Sequence, residues 1–291
     1  ILSAMGILNP SNRGALVMAE ILLYALMGGV GGYVTARFYK IFRGSCWYRA
    51  AALTALGFPG IAFGFLVILN HIANSWGSTY AVPSVTLVGL VVLWFGISTP
   101  LVLIGAKFGF GQAAITFPVS TNITPREIPR QSWYLSTPFA FAIGGILPFS
   151  CLFVEFYFIL ASVWMGQYYY VFGILLIVFL VVMIICAEVT MLWCYSRFCR
   201  ENYHWWWHSF CTTGSTALYA FLYSILYSNQ LQLNLIETCV LYFGYMGLVS
   251  LGMFMVTGFI GVAGALWFNK IIFGLVIIDG SDQNNGEVRG I

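Results

Sequence analysis

Glu188-Val-Thr-Met-Leu-Trp-Cys-Tyr-Ser-Arg-Phe-Cys-Arg-Glu-Asn-Tyr-His-Trp-Trp-Trp-His-Ser-Phe-Cys-Thr-Thr-Gly214 decides the fold class of this chain. An apolar helix ends near Tyr195, a short charged loop follows, and a second membrane segment begins at Ser209. Arg197 and Arg200 mark the water side of the turn. Trp205, Trp206 and Trp207 fall where indole rings anchor, at the boundary between headgroups and hydrocarbon. The pattern is a hairpin of two membrane-spanning helices, and the remaining sequence repeats it.

Composition agrees. Charged residues make up 7% of the 291 and apolar residues 60%, with a mean hydropathy of +0.90. A soluble domain carries roughly 25% charged residues, so this chain cannot cover itself with a water-compatible surface. The fold class is all-α, a polytopic helical membrane bundle. A net charge of +3 offers nothing for nucleic acid. The chain opens on Ile1 with no signal-peptide pattern, which reads as a piece of a longer protein.

Seven segments are long enough to cross a hydrocarbon core of about 20 residues' length: 15–36, 50–72, 83–106, 138–162, 168–195, 209–228 and 236–268. They form one seven-helix domain over 15–268. Residues 1–14 precede it as a lumenal segment, readable as the end of an earlier span. A tail follows over 269–291, polar enough to be disordered from about 280. Pro59, Pro100 and Pro148 fall inside spans and should kink them.

The charges alternate from loop to loop. Arg37, Lys40, Arg43 and Arg49 follow the first span; Lys107, Arg126 and Arg130 follow the third; Arg197 and Arg200 follow the fifth; Lys270 and Arg289 follow the seventh. All but Arg13 of the 12 basic residues therefore fall on one side, and the positive-inside rule makes that side cytosolic. The sequon Asn122-Ile-Thr124 lies on this side and is expected to be unused. The seven cysteines put none in a non-cytosolic loop, so no disulfide framework is legible.

Carboxylates inside a membrane are costly and count as functional candidates. Glu155 and Glu188 fall within spans about two turns from an end, with Glu20 and Glu237 nearer the outer edge. A proton or cation relay is one reading of Glu155 and Glu188, and a protonated carboxyl bonding a neighbouring helix is the other. Thr212, Thr216, Tyr219, Tyr223 and Tyr227 recur at helical spacing on one face of the sixth span. That stripe should face the bundle, lining a cavity or hydrogen-bonding other helices, and it is a candidate client-contact surface together with Glu155 and Glu188. Gly28 and Gly32, and Gly258, Gly261 and Gly264, are candidate helix-packing positions. Cys194, Cys199, His204, His208 and Cys211 are crowded but lack a Cys-x2-Cys or His-Glu-x-x-His pattern, so neither metal nor cofactor is assigned. No span contains Asp, and no nucleophile elbow or phosphate loop occurs.

Several ordered motifs resemble the nonaspanins, the transmembrane-nine superfamily. They are Asn12-Arg-Gly-Ala15, Gly32-Tyr-Val-Thr-Ala-Arg37 with Phe38-Tyr-Lys40, Gly105-Ala-Lys-Phe-Gly109, Pro118-Val-Ser-Thr-Asn122 and Pro125-Arg-Glu-Ile-Pro129. Gly144-Gly-Ile-Leu-Pro-Phe149, Asn202-Tyr-His-Trp-Trp-Trp207 with Ser209-Phe210, and Leu241-Tyr-Phe-Gly-Tyr245 continue the series. The resemblance implies nine spans and a large lumenal N-terminal domain in the whole protein, with these seven spans as the last. It also implies residence in Golgi and endosomal membranes, a cytosolic C-terminus and no enzymatic activity. Its implied role is sorting other membrane proteins, notably those with glycine-rich transmembrane helices.

The chain departs from the family pattern at Ser120, where Arg is usual, and at His208, where a basic residue is frequent. The Lys-x-Asp/Glu signal read by the COPI coat is also missing: Val276-Ile-Ile-Asp279 has Ile277 in the lysine's place, so COPI binding by that signal is not expected. The expected partners are the lipid bilayer and the transmembrane segments of client proteins. The rival functions are a proton-coupled transporter or channel using Glu155 and Glu188, and a seven-span receptor. The receptor reading lacks an Asp/Glu-Arg-Tyr motif and an Asn-Pro-x-x-Tyr motif.

Overall fold

The computed structural model describes residues 13–78, 81–114, 124, 127–130, 133, 136–164, 172–231 and 235–287. The expected sequon at Asn122, the departure at Ser120, and Arg126 and Arg289 lie outside the described residues. The described chain is helical, without strands. It divides at Thr116 into two compact units, where a single seven-helix domain is the expectation from hydropathy.

The first unit contains α1 (Arg13–Ile41), α2 (Trp47–Ser75), α3 (Ser84–Leu93) and α4 (Thr99–Gly111). A π-helical turn, Trp94–Ser98, joins α3 to α4 so that the three pieces cross as one rod. α1 and α4 run parallel with their backbones in near contact. A Cβ on Gly105 would overlap the Gly29 carbonyl, and one on Gly32 would overlap the Val102 carbonyl. A Cβ on Gly28 would come within 3.1–3.3 Å of Ser98 and Val102. Only glycine permits this approach, and it recovers dispersion contact that lipid tails would otherwise supply. At the basic end, Lys40 donates to the Phe110 carbonyl at 2.9 Å and the Gln112 carbonyl at 2.6 Å, and Arg37 donates to the Ala113 carbonyl. Two cations of α1 thus satisfy bare carbonyls in and just beyond the last turn of α4, where the helix dipole favours positive charge.

Each expected kink has its own remedy. Pro59 lies inside an unbroken α2 and leaves the Ala55 carbonyl without its helical donor. The Trp94 indole N–H donates to that carbonyl at 2.9 Å, and its ring packs on Phe63 at 5.9 Å between centroids. Pro100 follows the π turn, whose wider coil accommodates the ring. Pro148 stands four residues after Gly144, where α5 (Thr137–Gly144) stops; α6 (Ile146–Trp164) restarts with Phe149 N–H donating to the Gly145 carbonyl at 3.1 Å. In α2, Asn70 is buried and pairs with both backbone groups of Val82, at 3.1 and 2.6 Å, fastening the loop that leads to α3.

The second unit contains α5, α6, α7 (Phe172–Phe198), α8 (Trp206–Ser228) and α9 (Ile236–Glu287). Six rods in the described chain are long and apolar enough to cross a membrane. α8, expected as the sixth of seven spans, is the exception on apolarity. Its 23 residues reach about 34 Å, enough for a core of about 30 Å, but its hydroxyls lower its apolar character. α9 is helical to Glu287, whereas a disordered tail from about 280 is the expectation from composition. Extending an existing helix costs far less than starting one, so backbone runs on past the apolar span.

Replacing Trp94 by Phe should keep the ring contacts and strand the Ala55 carbonyl, lowering stability in detergent by about 1–3 kcal/mol. In a Pro59→Ala background the helix regains its own donor, so the same Trp94→Phe change should cost distinctly less. Equal losses in both backgrounds, measured by thermal unfolding, would refute the assignment.

Candidate functional site

α8 lies at the centre of the second unit, against α5, α6, α7 and α9. One side carries Ser209, Thr212, Thr213, Ser215, Thr216, Ala220, Ser224 and Tyr227, all buried. The other side presents Leu218, Leu222, Ile225 and Leu226 outward. The polar face points inward and the leucine face outward, as a membrane helix requires.

Most of these hydroxyls are satisfied within their own helix. Ser209 donates to the Trp205 carbonyl at 2.7 Å, Thr213 to Ser209 at 3.0 Å, Ser215 to Thr212 at 2.7 Å, Thr216 to Thr213 at 2.7 Å, and Ser224 to Phe221 at 2.7 Å. Thr190 of α7 and Thr257 of α9 do the same with Cys186 and Met253. Once bonded inward, a Ser or Thr behaves as a small residue, and neighbouring backbones can come close. Gly144 of α5 and Gly145, which caps it, lie against Thr212 and Ser215, with no room for a Cβ. A Cβ on Gly261 of α9 would overlap Thr213 and come within 2.8 Å of the Ser209 carbonyl and 3.0 Å of Thr190 Oγ1. A Cβ added to Gly258 would come within 2.7 Å of the Phe210 ring, and one on Gly264 within 3.1 Å of Ala187.

Bonds between helices are fewer. Tyr219 donates its hydroxyl to the Ala142 carbonyl of α5. Tyr242 of α9 donates to the Ser224 carbonyl at 2.8 Å, and Cys194 of α7 donates to Asn269 of α9 at 3.4 Å. Tyr223 and Tyr227 belong to an aromatic seam with α6: Phe153–Tyr223 at 4.9 Å and Tyr157–Tyr227 at 5.8 Å between centroids. Thr212, Thr216 and Tyr227 are therefore enclosed by helices of their own unit, and contact with another protein would require those helices to part.

The two spanning carboxylates are placed very differently. Glu155 of α6 is 9% exposed, and its Oε2 has no hydrogen-bond partner among the described residues. Glu188 of α7 is exposed. It lies ten residues before Phe198, the end of α7, hence about 15 Å from that end and close to mid-span rather than two turns from an edge. Glu20 and Glu237 are also exposed, Glu237 in the first turn of α9.

Arg197 corrects the sequence reading: expected in water, it is only 2% exposed. The loop after α7 folds back over the helix end, with Asn202 N–H donating to the Arg197 carbonyl at 3.0 Å. Arg200 is exposed. Trp205 precedes the first turn of α8, with Trp206 edge-on to it at 6.1 Å and Trp207 facing outward at 69% exposure. Beside this loop, a surface groove of about 420 Å³ is lined by Phe139, Leu192, Trp193, Tyr195, Ser196, Cys199 and Arg200. No group of His, Cys, Asp and Glu suited to a metal ion occurs among the described residues.

The close contacts at Gly29, Gly105, Gly109, Gly144 and Gly145 were not singled out by the sequence reading as packing positions. The spacing Gly105-x-x-x-Gly109 was the available signal for two of them. Trp94 had none beyond its register opposite a proline.

Residues 1–272 match the family described as Endomembrane protein 70. The chain belongs to this family. Transmembrane 9 superfamily member 10 of Arabidopsis thaliana is 48% identical over 96% of this chain and 44% of its own length. Human Transmembrane 9 superfamily member 2 is 45% identical over 95% of this chain and 42% of its own length. Human Transmembrane 9 superfamily member 4 is 39% identical over 94% and 43%. The chain thus spans less than half the length of these curated relatives. No solved structure matches. The resemblance to nonaspanins is thereby shown, and this family member is an all-α polytopic membrane protein.

Gly261→Ala should lower stability in detergent by about 1–3 kcal/mol through overpacking. Gly252→Ala, on the same helix with nothing within 4 Å of the added methyl, should be neutral or stabilising by up to about 1 kcal/mol. Comparable effects of the two changes on the melting temperature would contradict the close α8–α9 contact.

Proposed function

We propose that this chain is the membrane part of a non-enzymatic sorting factor of Golgi and endosomal membranes, which recognises transmembrane segments of client proteins. The observation that carries the reading is Glu188. It interrupts an exposed apolar stripe on α7 formed by Ile177, Leu180, Ile184 and Leu192. A carboxylate facing hydrocarbon at mid-span is costly, and a helix able to hydrogen-bond it relieves that cost. A client helix with small residues can approach closely enough, and exposed backbone or hydroxyl groups of such a helix supply the partner.

Family membership supports the compartment and the cytosolic C-terminus, in line with the arginine and lysine distribution. COPI retrieval through a Lys-x-Asp signal forms no part of the proposal, because Ile277 occupies the lysine's place. The transporter alternative gains little from Glu155, whose position lies within packed helices and not on the surface groove.

Proximity labelling in cells tests the reading. Wild-type chain should enrich single-span proteins with glycine-rich transmembrane helices, and Glu188→Leu should lose most of that enrichment while Glu188→Gln keeps part of it. Labelling that ignores Glu188, or that shows no dependence on the client's transmembrane sequence, would overturn client recognition by this face.

A further inference from the structure

The first unit gathers its charge at one end. Between residues 13 and 114 the basic side chains are Arg13, Arg37, Lys40, Arg43, Arg49 and Lys107, and Glu20 is the only acid. Arg13 and Glu20 belong to the far end of α1, Glu20 about 30 Å from Ile41 along the axis. Arg37 and Lys40 are occupied with the carbonyls at the end of α4. Arg43, Arg49 and Lys107 are exposed, and their side chains make no hydrogen bond or ion pair among the described residues. The bonds from Lys40 hold the ends of α1 and α4 level. Lys107 lies four residues, about 6 Å, inside the end of α4 at Gly111. Arg43 stands on the turn beyond α1, and Arg49 in the first turn of α2. The three cations thus occupy two depths.

Two of them stand where the fold gains nothing from a cation. Arg43 holds φ at 57°, with its N–H on the Lys40 carbonyl and the Gly44 N–H on the Tyr39 carbonyl, each at 3.1 Å. Glycine usually takes the left-handed position in such a helix ending. Gly44 stands one residue later, where a Cβ would overlap the Tyr39 ring. Arg49 meets the positive end of the α2 dipole, which opposes it.

We infer that this end of the first unit docks the headgroup of a phosphoinositide, with a ring phosphate at Arg43 and Arg49 and the diester phosphate at Lys107. A phosphate monoester carries close to two charges and three strong acceptor oxygens, and a guanidinium pairs with it through two parallel N–H bonds. The ring of such a lipid holds its two kinds of phosphate at different depths, as the cations are held. A lipid with a single phosphate reaches one depth only. The α2 dipole adds to the attraction for an anion, and no acid of the unit lies at this end to compete. Trp47 and Tyr48 precede Arg49 in the same turn, and these ring types lie at headgroup level, which favours a lipid over an acidic protein segment. Nanodiscs present two identical leaflets, and Glu188 lies in the other unit, so the outcome below is independent of chain orientation and of client recognition.

The experiment uses the purified chain in nanodiscs of phosphatidylcholine alone, or with a phosphatidylinositol monophosphate or phosphatidylserine added at matched charge. Phenylglyoxal, read peptide by peptide, reports Arg43 and Arg49; acetylation reports Lys107 against Lys270, an exposed lysine of the second unit. The phosphoinositide should slow modification of Arg43, Arg49 and Lys107 several-fold and leave Lys270 as it is. Equal slowing by phosphatidylserine, or slowing at Lys270 too, would mean diffuse attraction to the leaflet and overturn the site. Protection by a soluble inositol phosphate as strong as by the lipid would keep the phosphate site and assign it to the free compound. Protection by an acidic peptide but by neither phosphate compound would overturn the lipid as occupant. With Lys107 acetylation as the readout, Arg49→Gln should weaken the phosphoinositide's effect by about fivefold, and Lys270→Gln should not change it. Arg43→Gly separates binding from folding: freed of its left-handed side chain, the turn should melt at a higher temperature while binding falls by a similar factor. A purely structural Arg43 would lower the melting temperature and leave lipid protection of Arg49 and Lys107 intact, and that result would overturn its part in the site.

Discussion

In hydrocarbon a peptide group has no water to bond, so every carbonyl and N–H in a span needs a partner within the protein. The devices that stand out in this chain answer that constraint. Pro59 removes a donor, and the Trp94 indole replaces it at 2.9 Å. Pro100 follows a π turn, and Pro148 follows a break at which α5 ends and α6 begins. At the end of α4, the side chains of Arg37 and Lys40 reach the bare carbonyls. Trp94, Arg37 and Lys40 are far in sequence from the carbonyls they satisfy, so these devices also fix how two elements meet.

The same constraint shapes the interior of the second unit. In water a buried Thr or Ser would compete with hydrophobic packing. Here most of the buried Ser and Thr hydroxyls of α8 bond their own helix and are reduced to small, satisfied bumps. Glycines on α5 and α9 then fit against them with no space to spare. Close packing replaces the hydrophobic effect, which gives no drive for one apolar helix to leave lipid for another. The result is an inverted helix: Leu218, Leu222 and Leu226 face outward and the polar residues face in. Glu188 stands apart from this arrangement, being polar and outward near the middle of α7.

Hydropathy made the spans legible, because about 20 apolar residues in a row have few other uses. The motif spacing made the family legible. Periodicity also placed the α8 stripe on one face, since 4 and 3 residue steps repeat through Thr212, Thr216, Tyr219, Tyr223 and Tyr227. It could not say whether that face lined a cavity or a seam, because both need the same residues; the answer depended on Gly144, Gly145 and Gly261 arriving from two other helices. Nor could it separate Glu155 from Glu188, which look alike in composition but differ in the face their helices turn outward. Arg197 was misread for a related reason: a loop that folds back over its own helix leaves no trace in charge counting.

The close packing along α8 is the claim on which the sorting account turns, since a transport pathway would need it open. Spin labels placed one at a time from residue 212 to 227 would measure it through collision with oxygen, which partitions into lipid, and with a water-soluble nickel complex. The account predicts helical periodicity, with oxygen access highest at 218, 222 and 226, and neither quencher reaching 213, 216, 220 or 224. Nickel access rising along the hydroxyl face would show a water-filled path through the unit and contradict the account.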